Sequence, residues 1–77
     1  MPSVQDLLAE LRGMIMEIQT AAQTPGKIVT EEAESFVTRA ETAIAELEQG
    51  GGMIGDIEAI GELTELAAEG AVIVLAL

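Results

Sequence analysis

The 77-residue chain has no cysteine, no histidine, no tryptophan and no tyrosine, and Phe36 is its one aromatic residue. Without Cys there is no disulfide, and redox compartment is left open. Without Cys or His the usual zinc ligand sets are excluded as well. Nucleophilic catalysis loses its ordinary base, since Ser3, Ser35 and the scattered threonines have no imidazole to activate them. Neither an enzyme nor a cofactor is expected.

Cations are almost as scarce. Arg12, Lys27 and Arg39 stand against 14 acidic residues, for a net charge of −11. Nucleic-acid binding needs Lys and Arg to replace counterions on phosphates, so direct binding is excluded. Docking on an anionic membrane surface fails for the same reason. Long apolar runs are missing too: the longest, 71–77, is far too short to span a bilayer. The opening MPSVQDLLAELRG has no basic stretch leading into an apolar one, so it does not read as a signal peptide. The expectation is a soluble intracellular (cytoplasmic) protein, or part of an assembled particle.

What is present is apolar residue in helical order. Apolar side chains make up 49% of the chain, and their periodic spacing argues against disorder. Twelve of the 14 acids are glutamates on helical faces, so adaptation to high salt is only one reading of the low pI. One small domain spanning 1–77 is expected. A domain this size buries only about 60% of the surface its unfolded chain exposes. With disulfides and zinc excluded, association is the remaining common source of stability.

Three helices are expected, at about 3–23, 30–49 and 54–69, in an all-α three-helix bundle. Ser3 begins the first, with Asp6 completing a capping box. Val4, Leu7, Leu11, Met14, Ile18 and Ala21 form its core stripe, widened by Leu8, Ile15 and Ala22. Thr24-Pro25-Gly26 stops it. Thr30 caps the second helix, whose first turn carries Glu31, Glu32 and Glu34 where the macrodipole favours them. Its apolar face is Ala33, Phe36, Val37, Ala40, Ala43, Ile44 and Leu47, and Gly50-Gly51-Gly52 ends it. The short connection makes the first two helices an antiparallel hairpin.

The third helix carries Glu58, Glu62, Glu65 and Glu69 within an arc of about 60°, and Gly70 reads as its C-terminal stop. Nearly everything else on it is apolar or small. That leaves an apolar arc of roughly 200°, against the ~100° stripe usual for a surface helix. Two neighbouring helices would not cover it. The first helix also places Ala9, Gly13 and Met16, with Thr20, opposite its core stripe. Gly13 costs about 1 kcal/mol relative to Ala, which makes sense where another backbone approaches closely. Otherwise it is a tolerated blemish.

The apolar C-terminal segment, Ala71 to Leu77, is extended or helical. Its β-branched Val72-Ile73-Val74 favours a strand, and as either strand or helix its apolar side chains require burial. Val72, Ile73, Val74, Leu75 and Leu77 therefore join Ala9, Gly13 and Met16 as candidate self-association residues.

Other chemistry finds little support. Gly50-Gly51-Gly52-Met53-Ile54-Gly55 precedes a helix as phosphate loops do. However, it lacks the buried strand, the Gly-Lys-Ser/Thr ending and any cation. No alternation of Asp and Asn about a central Gly marks a calcium loop. The glutamate row is the sharper candidate. Carboxylates about 5–6 Å apart could imitate phosphates and fill a basic groove, although a solvated face is the commoner use of such a row.

These features fit a non-enzymatic, small acidic protein-interaction subunit, a homo-oligomer or part of a larger assembly such as a phage or viral particle. The alternative is an acidic inhibitor that mimics nucleic acid and blocks a basic groove of a host nucleic-acid-binding protein through Glu58, Glu62, Glu65 and Glu69. A small-molecule carrier is a weaker third reading, because polar orienting groups are lacking.

Overall fold

The computed structural model describes residues 3–49 and 57–77, and for Ile57 and Glu58 the backbone alone. The chain forms three helices, α1 (Val4–Gln23), α2 (Glu31–Gln49) and α3 (Ile57–Ala76). No strand occurs among the described residues.

The local signals at the first two helices act as expected. At α1, the Asp6 amide donates to Ser3 Oγ at 3.1 Å and the Ser3 amide donates to Asp6 Oδ2 at 3.3 Å, satisfying two free amides reciprocally. The helix ends at Thr24, where the Lys27 amide donates to the Thr24 carbonyl at 3.2 Å. Pro25 presets φ at the second position of this turn. Gly26 occupies the third at φ +88°, the type II pattern, which strains any residue with a Cβ. Thr30 Oγ1 then accepts from the Ala33 amide at 3.2 Å and starts α2.

The helices run up, down and up. Arg12 meets Glu48 across the antiparallel α1–α2 pair, and Arg39 meets Glu69 across the antiparallel α2–α3 pair. The core is wholly apolar. Leu7, Leu11, Ile15 and Ile18 of α1 meet Ala33, Phe36, Ala40, Ala43 and Ile44 of α2, with Leu63, Leu66 and Ile73 of α3. Phe36, Leu11 and Leu63 are its largest fully buried side chains. No polar residue is buried among the described residues.

The third helix departs from the sequence reading. Gly70 is not its stop: α3 continues six residues further, to Ala76, and the 71–77 segment is helical rather than extended. The expected start at 54 lies outside the described residues. Gly70 is needed for packing. A Cβ built there would lie 2.5 Å from Phe36 Cζ and 2.6 Å from Met14 Sδ. The missing side chain is the hole that the Phe36 ring fills, and it lets three helices converge at one point. Continuing the helix also satisfies the backbone of the β-branched run internally, which a lone strand could not do.

Candidate interaction surface

The continued helix turns one row of the 71–77 segment inward and another outward. Ile73 is 8% exposed and belongs to the chain's own core, with Val74 and Leu77 packed at its edge. Val72 and Leu75 point the other way, 68% and 87% exposed. Ala68 and Ala71 beside them are exposed as well. The requirement that the whole segment be buried is thus met on one face only. The described chain leaves an uncharged patch on the last two turns of α3.

The inner edge of the segment, Val74 and Leu77, faces α1. A groove of about 550 Å³ runs between α1 and the end of α3, lined by Gly13, Met16, Thr20, Val74 and Leu77, with Glu17 and Lys27 also on its walls. The outer strip of α1 and the 71–77 segment, separate in sequence, therefore share one surface. Met16 is 65% exposed there, and Ala9 is exposed one turn before Gly13. A Cβ at Gly13 would have nothing within 4 Å. Among the described residues no contact requires this glycine, in contrast to Gly70.

The acidic row loses its last member to an ion pair. Arg39 donates to both carboxylate oxygens of Glu69, Nη1 to Oε2 at 3.1 Å and Nη2 to Oε1 at 2.6 Å. This two-pronged geometry is the stronger form of the Arg–carboxylate pair. The hydrogen bond from Arg39 holds the Glu69 carboxyl below its usual pKa, so it stays ionised and engaged. Glu62 and Glu65 remain exposed, and the Glu58 side chain lies outside the described residues. A second groove, of about 400 Å³ between α2 and α3, adds Glu46 to Glu62, Glu65 and Glu69 and sets Arg39 among them. Among the described residues, no three acidic side chains are placed to hold a metal ion. Nor is any described helix long and apolar enough to cross a membrane.

No known protein family, curated protein or solved structure matches the chain.

Sequence reasoning missed Glu46 and the Arg39–Glu69 pair, because contacts across thirty residues leave no local trace. It also missed Ile28, 87% exposed in the α1–α2 connection, a single apolar side chain of the kind surfaces often carry.

Proposed function

We propose that the protein is a non-enzymatic, small acidic interaction subunit that packs, with copies of itself or with other chains, into a larger assembly such as a viral particle. The supporting observation is the outward face of α3. Val72 and Leu75 lie open on the outer side of a helix whose inner face fills the core and whose Val74 and Leu77 share a groove with Gly13 and Met16. Exposed apolar side chains grouped in this way, rather than scattered singly, mark interaction sites.

Mimicry of nucleic acid is the second reading, and it has less support. It rests on a continuous carboxylate row, yet Arg39 occupies Glu69 and brings a positive charge into the α2–α3 groove. Among the described side chains, Glu62 and Glu65 are left as its free members. Glu62→Lys with Glu65→Lys separates the readings. The assembly reading expects association to survive this change, with stability equal or slightly higher. Mimicry expects binding to a basic partner to collapse.

Native mass spectrometry of the untagged protein, recovered intact from the cells that make it, tests the main reading. Part of the protein should appear in species heavier than the 8.0 kDa chain. Gly13→Ala should raise the melting temperature of the isolated chain, by up to about 1 kcal/mol in stability, since Ala is the better helix former. It should weaken association, because the added methyl stands on the contact strip. A uniformly monomeric wild type would overturn the reading. Gly13→Ala with association intact would remove the α1 strip from the interface.

A further inference from the structure

Resting on that interaction reading, we propose that the outward face of α3 binds an amphipathic helix of another protein whose apolar stripe is flanked by lysine or arginine. Ala68, Ala71, Val72 and Leu75 follow the i, i+3, i+4, i+7 spacing that a single partner helix reads, and all four are exposed. The alanines let a partner backbone approach, while Val72 and Leu75 supply the apolar area.

Charge selects the occupant. On one side of the patch, exposed Glu65 lies in the same row as Ala68 and Val72. On the other side, Glu17 stands in the α1–α3 groove beside Val74. Exposed Glu10 lies two turns earlier on the same side of α1. The uncharged strip is thus bordered by carboxylates on both edges. Lys27, which lines the same groove as Glu17, is the cation on this side. Arg12 and Arg39 are both paired, to Glu48 and Glu69.

A second copy of the chain is disfavoured as the occupant. It would set Glu17 and Glu65 against identical rows and double a net charge of −11 with one unpaired cation per copy among the described residues. Like charges brought together across an interface oppose binding, whereas a basic border is attracted and steered in.

The test uses three synthetic helical peptides with the full-length protein. One has a leucine and alanine stripe flanked by lysines, one has the same stripe flanked by glutamates, and one has the lysine composition with the stripe scrambled. Binding is followed by fluorescence anisotropy at low and physiological salt. The lysine-flanked peptide alone should bind, more weakly as salt rises. Leu75→Glu should weaken it at least about tenfold. Glu17→Gln with Glu65→Gln should weaken it and flatten the salt dependence. Glu46→Gln, on the α2 side, should leave it unchanged, and circular dichroism should show every variant folded. Equal binding of the scrambled peptide would reduce the effect to bulk charge and overturn the proposal. Failure of all three peptides would overturn it too. If the wild type instead dimerises and Leu75→Glu abolishes the dimer, a second copy is the occupant: this proposal fails while the interaction reading stands. A wild type that stays monomeric and binds no peptide would speak against both.

Discussion

Gly70→Ala is expected to lower the melting temperature, although the same change in an open helix interior raises it. The propensity term alone would gain about 1 kcal/mol. Against it stands a Cβ placed 2.5 Å from Phe36 Cζ and 2.6 Å from Met14 Sδ. Met14 is partly exposed and its thioether can swing aside. Phe36 is fully buried, and its rigid ring can move only by displacing the core around it. Overpacking of this kind costs about 1–3 kcal/mol, so the net effect is destabilising. In a domain of this size each kcal/mol shifts the melting temperature by about 4–8 °C. Gly61→Ala is the internal control. Among the described residues nothing lies within 4 Å of its Cβ, so it should gain the propensity term. Thermal melts of the two variants side by side should move in opposite directions. A Gly70→Ala protein as stable as Gly61→Ala would mean that the ring does not depend on the hole.

Ile73→Ala should have the larger effect. Ile73 is buried in the core, and truncating a buried isoleucine costs about 2–5 kcal/mol through lost transfer energy and the cavity left behind. Stability of a 77-residue domain is itself only about 4–12 kcal/mol at ordinary values per residue. Denaturant unfolding should therefore show Ile73→Ala as marginal. Val72→Ala and Leu75→Ala, one residue before and two after, should stay within about 0.5 kcal/mol in the isolated chain, as exposed positions do. That contrast follows from helical geometry. An extended segment would put Ile73 and Leu75 on one side of the strand and make them respond alike.

The parts of the fold that were legible in the sequence are those decided within a few residues. The Ser3–Asp6 box, the Pro25-Gly26 turn and the Thr30 cap each involve neighbours along the chain, and the core stripes of α1 and α2 follow from spacing, apart from Ala22, which is exposed. Gly70 was not legible. A glycine at the end of an apolar stripe carries the same local signature whether it terminates a helix or receives a ring from another one. Only Phe36, thirty-four positions away, distinguishes the cases. The β-branched run misled for a related reason. Its strand preference is small beside the burial of Ile73 and Val74 that a continued helix achieves. For the candidate surface, the excess apolar arc of α3 and the strip of α1 could be read from spacing. Their meeting in one groove needed the parallel packing of α1 and α3, and the loss of Glu69 to Arg39 needed the antiparallel packing of α2.

On the proposed function, the outward face of α3 is covered by a partner and contributes little to the fold of the chain itself. Sedimentation of the wild type and of a Val72→Glu, Leu75→Glu double variant separates the two contributions, each run alone at rising concentration and with the lysine-flanked peptide. The wild type should form a heavier complex in at least one of these mixtures. The double variant should form none, while melting within a few degrees of the wild type. A double variant that associates as the wild type does, or a wild type that remains a lone 8.0 kDa chain in every mixture, would mean that this face is not a contact surface.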